Sequence, residues 1–524
     1  MMLRLRTVEQ LSGYAALGCL IAVTVLAFEG LAGFDNAYFD AGLLSDSYTH
    51  KILRFSLWQA ALSTLISVGL AWPLARLLYR LNPYGSQHFL RLCLLAFVTP
   101  TLVVITSVMI LFGPQGIMRP LLPEDWKLFG LNGILIAHVY LNFPLALRII
   151  LQSYQSLPQG SERLVSQLKL TALQRFRVLE WPQIRPALLA VATLIFILCF
   201  NSFAVVLALG GGPSATTFEL AIYQALKYQF NLTEALTLAW MQFAIAGSLF
   251  ALTALLSRIN WLGAARQMSS WQPAMPAWQR RLGQTLYLLG WVIMLLPIFA
   301  LISSLQLSKL VNLDYWTLAA SLGRSLLIAL SATSVALLMA LLLIPLQIQA
   351  SAQRRPVRAA LLNWLSTHHL VAPAMVLSTG IYIWLLSTGA LKQWSLFWLI
   401  ALNAALVLPF LLPQLRASAS AYTSQYGPLI ANLRLGPVAR IKIYLRYLKR
   451  PLTSAFALGL LLALGDVSIF AIFGSYDAPT LPWLIYNYAG SYRLGEAGIA
   501  SAALLMLCAL LLLILEKSHH SSEV

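Results

Sequence analysis

Residues 325–353 read SLLIALSATSVALLMALLLIPLQIQASAQ, a stretch without one charged side chain. A helical bilayer crossing takes about 20 apolar residues, so this stretch is long enough to make one. Working outward, further uncharged stretches of at least 19 residues lie at 10–28, 55–75, 92–118, 128–147, 186–218, 235–257, 282–308, 359–391, 393–415 and 497–515. One more apolar segment, 452–474, is interrupted by a single acid, Asp466. The expectation is an all-α polytopic membrane protein of twelve transmembrane helices, with no room for a large soluble domain. Composition agrees. The 524 residues are 59% hydrophobic and 10% charged, with a mean hydropathy of +0.77, whereas soluble domains carry about 25% charge. A soluble enzyme, a secreted binding domain and a disordered chain are excluded. A membrane β-barrel would alternate in segments of roughly ten residues.

The net charge of +18 reads as topology. Basic residues concentrate in cytoplasmic loops of membrane proteins. With both termini in the cytoplasm and loops assigned alternately, 26 of the 35 basic residues fall inside. Only Glu9, Glu162, Glu180, Glu516 and Glu523 accompany them. The basic residues are spread over loops, so no nucleic-acid partner is read from them. Cys19, Cys93, Cys199 and Cys508 lie in apolar segments without a C-x-x-C pair, which supports neither disulfides nor a zinc site. The stretch from Leu11 to Phe28 is too long for a typical signal-peptide core and is read as a retained first helix.

The halves repeat. Ser56-Leu57 and Ser325-Leu326 each open an apolar helix, 269 residues apart. Thr99-Pro100 and Ala372-Pro373 each start a helix after a basic loop, 273 apart. Thr217 to Tyr223 and Thr480 to Tyr486 share Thr-x4-Ile-Tyr, 263 apart. Six helices per half, an even number, gives the two halves one orientation. They become parallel repeats with a substrate route at their interface. The reading divides the chain into a first half (1–257), a cytoplasmic linker (258–281) and a second half (282–524).

Two longer cytoplasmic loops precede the fifth helix of each half. In the first, Ser161 is placed to cap a short helix with Leu164, Val165, Leu168 and Leu170 mostly on one face. Such a helix either lies on the lipid surface or docks a cytoplasmic partner. Its pattern resembles the EAA loop of bacterial ATP-binding-cassette importer permeases, in outline E-A-A-x3-G-x9-I-x-L-P. With Pro182 closing the motif, Leu179 and Trp181 take the Ile and Leu positions. Lys169 takes the Gly position, and Arg163-Leu164-Val165 fall on E-A-A. The second loop keeps the glycine at Gly436, after Leu433-Arg434-Leu435. Its Ile430-Ala431-Asn432 fall on E-A-A, and its closing Pro451 comes 15 residues after the glycine instead of 13.

The resemblance implies a type I importer permease with two parallel six-helix repeats. It implies docking of a homodimeric ATPase at both loops, delivery by a periplasmic substrate-binding protein, and a place among the lipids of the bacterial inner membrane. It implies no cofactor and no nucleic acid. The chain has no G-x-x-x-x-G-K-[ST] phosphate loop, so it is read as no enzyme, with ATP hydrolysis in a separate subunit. Within the family the likeness is to fused two-half thiamine importer permeases. It rests on Leu209 to Leu226 (LGGGPSATTFELAIYQAL), Gly465-Asp466, Thr480 to Tyr486 and Gly490 to Arg493. Fused iron(III) permeases share the architecture and are the alternative. An ion-coupled carrier would bury several acids or histidines, and an intramembrane enzyme would need convergent polar groups.

Thiamine is a cation with two aromatic rings. Aromatic faces hold a cation, and a membrane carboxylate usually faces a cavity. The candidates for the route are Asp466, Glu219, Tyr223, Trp483 and Tyr486. The alternative for Asp466 is pairing with Arg324 or the backbone, and for the two tyrosines anchoring at the interface. Gly210-Gly211-Gly212-Pro213 reads as a turn. His138 and the adjacent His368-His369 make a poor metal site, and none is expected.

Overall fold

The computed structural model describes residues 2–33, 37–157, 161, 164–165, 167–168, 170–256, 277–305, 314–353, 356–433, 435–474, 478–491 and 493–520. All regular structure among them is helical. In the first half α1 (Met2–Gly33), α2 (Ser47–Leu81), the bent pair α3 (Ser86–Val98) and α4 (Thr101–Phe112), and α5 (Leu131–Gln155) come first. A helical turn (Ala172–Arg175) and a π-type turn (Phe176–Glu180) run directly into α6 (Trp181–Phe200). Short helices α7 (Ala204–Leu209) and α8 (Phe218–Gln224) follow, and α9 (Leu232–Leu256) closes the half. The second half repeats the order. It runs α10 (Ala277–Ser303), α11 (Tyr315–Ala352), the pair α12 (Pro356–Thr367) and α13 (Ala374–Ser387), and α14 (Leu391–Asn432). Then come α15 (Pro437–Tyr447), α16 (Lys449–Leu464), the short α17 (Phe470–Phe473) and α18 (Leu481–Gly490), and α19 (Leu494–His520).

Among the described residues nine helices are long and apolar enough to cross a bilayer, and the number reaches twelve if each of three bent pairs is one span. The bends have causes. A proline disfavours the helical region for the residue before it. Thr99, before Pro100, is extended at φ −61°, ψ 127°, and α3 turns into α4 by 102°. Pro373 stands at the corresponding break between α12 and α13, which bend by 77°. The third pair, α15 and α16, bends by 64°.

Duplication is written into the hydrogen bonds. Asp46 caps α2 by accepting from the Tyr48 and Thr49 amides. Asp314 caps α11 by accepting from Trp316 and Thr317. The Ser56 hydroxyl of α2 accepts from the Phe218 amide at the start of α8 (3.2 Å). The Ser325 hydroxyl of α11 accepts from the Leu481 amide at the start of α18 (2.8 Å). In each half a serine inside the second helix therefore supplies an acceptor to a helix start that would otherwise bury an orphan amide. The triple glycine is a turn, as its composition suggests. Gly211 and Gly212 have φ of +71° and +131°, a region that side chains disfavour.

The first helix of each half crosses to the other half. α1 packs on α13 and α11. A Cβ on Gly380 would stand 1.9 Å from the Ala27 carbonyl oxygen, and one on Gly30 would stand 2.2 Å from that of Gly380. Only glycines allow this approach. α10 packs on α2, α3 and α4. There a Cβ on Gly283 would meet Leu77 at 1.7 Å, and Tyr287 sets its ring edge on Phe89 at 5.3 Å. Helix α10 begins at Ala277, so the last residues of the expected linker are helical. Residues 257–276 lie outside the described residues.

Candidate translocation and coupling sites

Helix breaks release backbone groups that lipid cannot satisfy, so they occur where protein or a water-filled cavity meets them. Three of them meet here. Thr99-Pro100-Thr101, Asn201-Ser202-Phe203 and Gly465 to Ser468 line one cavity of about 310 Å³, together with His138 and Asn142 of α5 and Asn403 of α14. The breaks interlock across the halves. The Asn201 amide donates to the Leu370 carbonyl, just before α13 (3.0 Å). A Cβ on Gly465 would stand 3.1 Å from the Pro100 Cα, just before α4.

Asp466 lies in the break between α16 and α17 rather than within a helix. Its carboxylate accepts from the Ser468 and Ile469 amides, each at 3.3 Å, and it borders the cavity. Of the two alternatives for Asp466, the bond to the backbone forms and the pair with Arg324 does not. The Arg324 guanidinium donates instead to the Pro479 carbonyl (3.0 Å) and the Ser321 hydroxyl (3.4 Å). Arg324 sits near the start of α11 and satisfies the loop ahead of α18 before it can reach the cavity.

Glu219 is fully buried and is not among the residues that line the cavity. Its carboxylate accepts from the Ala374 amide (3.0 Å), the Met375 amide (3.3 Å) and the Gln242 side chain (3.3 Å). Pro373, the residue before α13, has no side-chain group to cap that helix. An acid from the first half does so instead, with the charge favoured at a helix N-terminus.

Tyr223, Trp483 and Tyr486 form a separate aromatic cluster. Tyr223 packs on Phe203, which lines the cavity, with ring centroids 5.1 Å apart. Trp483 and Tyr486 lie 5.3 Å apart. Between the halves stands Lys227, its Nζ 5.3 Å from the Tyr223 ring centroid and 5.9 Å from that of Trp483. Aromatic faces attract a cation at such distances, so here the chain's own cation joins first-half and second-half rings.

Of the residues read as coupling positions, those of the first loop lie toward the C-terminal end of α2, where Glu180 meets Arg76 and Arg80. In the first loop Leu164 is 56% exposed while Val165 is buried; Arg163 and Lys169 fall outside the described residues. Pro182 lies near the start of α6, which follows directly on the π-type turn Phe176–Glu180. In the second loop Ile430-Ala431-Asn432 end the 42-residue α14. Leu433, 58% exposed, lies in the turn after it rather than on a separate short helix. The helical pattern simply continues through Pro428, and Gly436 then caps α15 in extended conformation. Pro451 sits in the first turn of α16.

Glu180 ties the first loop to the bundle. It is 2% exposed and accepts from Arg76 Nε at 2.7 Å and Arg80 at 3.0 Å, both on α2, with Arg175 of the loop at 3.5 Å. Sequence reading treated Glu180 only as one of five inside acids. Its signal was visible in the spacing of Arg76 and Arg80, i and i+4 on one helix face. Also missed were Asn142 and Asn403, polar residues in two apolar stretches, each after a leucine and 261 residues apart.

A bundle of duplicated halves around a cavity, with a bridged loop at one end, is the architecture of an importer's membrane channel component. Residues 65–264 match the family described as "Binding-protein-dependent transport system inner membrane component". The chain is 36% identical over 517 residues to the "Thiamine transport system permease protein ThiP" of Escherichia coli (strain K12), covering 96% of both chains. It is 36% identical to the protein of that name from Haemophilus influenzae, covering 88% of both. A "Putative ferric transport system permease protein FbpB 1" of Haemophilus influenzae matches at 25% over 48% of this chain and 41% of its own. The chain belongs to the family of thiamine transport system permease proteins.

Proposed function

We propose that this chain moves thiamine from a periplasmic binding protein into the cytoplasm, powered by a homodimeric ATPase. The observation that carries this reading is the end-to-end match to thiamine permeases, 96% of both chains. The ferric permease matches less than half of either chain. The cavity favours the same choice. A ferric ion is a hard cation that wants several oxygen anions, and Asp466 is the one acid among the lining residues.

The ATPase engages Leu164 and Val165 in the first loop and the Leu433 to Gly436 turn in the second. Arg163, Lys169, Pro182 and Pro451 flank those contacts. Closure of the ATPase reaches α2 through Glu180 and its arginines, and reaches α14 directly, because that helix ends at the second loop. The substrate passes the aromatic cluster of Tyr223, Trp483 and Tyr486, then Asp466. Glu219 supports the route by holding α13. Both termini and the 258–281 linker face the cytoplasm, joining a first half of 1–257 to a second of 282–524. The test is the permease–ATPase complex in proteoliposomes with its binding protein. Thiamine stimulates ATP hydrolysis and accumulates inside, and ferric iron does neither. Stimulation by iron alone would reverse the assignment.

A further inference from the structure

The cavity between the halves holds an unusual set of polar atoms for a place inside an apolar bundle. Asn142 and Asn403 are both buried and both line it. The Asn142 amide nitrogen donates to the His138 carbonyl at 2.9 Å, one turn back on α5. The Asn403 nitrogen donates to the Leu399 carbonyl at 3.0 Å, one turn back on α14. A carbonyl only accepts, so each amide's nitrogen must face its own helix. That leaves the two Oδ1 oxygens for whatever the cavity holds. A leucine would fill either position without burying a polar group in membrane, a burial that costs free energy unless it is bonded.

Two more observations point the same way. The ring of His138 meets the Ser63 hydroxyl through Nδ1 at 3.2 Å, while its buried Nε2 has no partner among the described residues. The lining residues include one carboxylate, Asp466, and neither lysine nor arginine. The Ser468 and Ile469 amides hold that carboxylate, and in a low-dielectric site an acid with no cationic side chain beside it among the lining residues favours a positive ligand. The walls add Phe97, Phe203 and Phe410, ring faces on which a flat cation can lie. A volume of about 310 Å³ is at the lower end of small-molecule sites, roughly 300–1,000 Å³.

We infer that this cavity is a binding station for a flat heteroaromatic cation bearing N–H donors. Asn142 of the first half and Asn403 of the second supply paired acceptors, and Asp466 supplies the charge. The inference rests on the reading of the chain as a thiamine permease and adds a site within the membrane that binds the substrate without the binding protein.

The test is equilibrium binding of radiolabelled thiamine to the permease–ATPase complex in lipid nanodiscs, with neither binding protein nor nucleotide. Saturable binding of one thiamine per chain is expected. Asn142→Leu, Asn403→Leu and Asp466→Asn each weaken it about tenfold, the loss typical of one bond to a charged or buried partner. The thiamine analogue whose ring amine is replaced by a carbonyl binds the wild-type complex at least tenfold more weakly, because it turns an acceptor, in place of the amine donor, toward the asparagine oxygens. That comparison needs no variant, so it stands even where a leucine variant fails to assemble. Equal affinity for amine and carbonyl would overturn the acceptor pair. A complex that imports thiamine with its binding protein yet binds none alone would sink the station and leave the transport reading standing. A complex that imports none would sink the transport reading itself.

Discussion

Glu219 looks at first like a route residue and is better understood as a cap. Its charge is placed where the first amides of α13 converge, on a helix whose preceding residue is proline and offers no side-chain acceptor. Glu219→Leu leaves the Ala374 and Met375 amides without partners, at about 1–3 kcal/mol for each buried donor orphaned. Glu219→Gln keeps one acceptor and loses less. Thermal unfolding of the purified complex checks the order: wild type, then Gln, then Leu. A leucine variant as stable as wild type would show that α13 has no need of the cap. At the same scale Asp314 gives a pH dependence. Bonds from the Thr317 hydroxyl and the Thr317 and Trp316 amides hold its carboxyl below the ordinary range. The lowered value in the folded state means the cap's contribution is complete above about pH 4, the ordinary carboxylate range, and is lost as the pH falls through the lowered value. Amide exchange at Trp316 and Thr317 should rise only in that more acidic window.

At the scale of elements, the two loops differ in how they join the bundle. The first loop is fastened by an ion cluster: Glu180 against Arg76 and Arg80 of α2 and Arg175 of the loop. Removing one partner of a buried ion pair typically costs about 3–5 kcal/mol. Glu180→Gln lies at the low end, because Arg76 is itself a third exposed. The variant should insert, bind the ATPase and hydrolyse ATP while losing thiamine stimulation; full stimulation in proteoliposomes would show that the cluster carries no motion. The second loop is fastened by continuity, since α14 runs unbroken to Asn432. Leu164 and Leu433 are each more than half exposed, as apolar docking residues would be in the absence of a partner. Leu164→Glu and Leu433→Glu cost the chain little by themselves and should abolish co-purification of the ATPase and uptake together. Uptake at the wild-type rate in the double variant would remove the docking assignment.

For the whole molecule, the exchange of first helices decides how the halves depend on each other. α1 packs on α13, closely through Gly30 and Gly380, and on α11, and α10 covers α2 and α3. A chain cut within 257–276 and expressed as two pieces should yield a working complex only when both are made together. Each piece alone exposes the face its partner's first helix would cover, and proteolysis should remove it. Stable accumulation of 1–257 by itself would contradict this. Sequence was enough to set the class of fold. Long uncharged stretches are satisfied in lipid as helices, and that rule is local, so the spans and the duplication could be read along the chain, while the structure gives nine crossing helices, or twelve if each bent pair is one span. Even the paired caps, Asp46 and Asp314, each followed by x-aromatic-Thr, were open to reading. The site was legible only in part. Asp466 stood out because a charge within an apolar run is conspicuous by itself, and it does border the cavity. Tyr223, Trp483 and Tyr486 were readable as a set, but their meeting around Lys227 was not, because it joins positions some 260 residues apart. Glu219 and Arg324 were assigned by residue type, and tertiary structure redirected both: one to an orphan helix start in the other half, one to a loop carbonyl. The physical reason is the same in each case. Hydrophobic periodicity fixes what a segment is from its own residues, whereas a polar side chain takes its role from whichever unsatisfied group the packed bundle brings within about 3 Å.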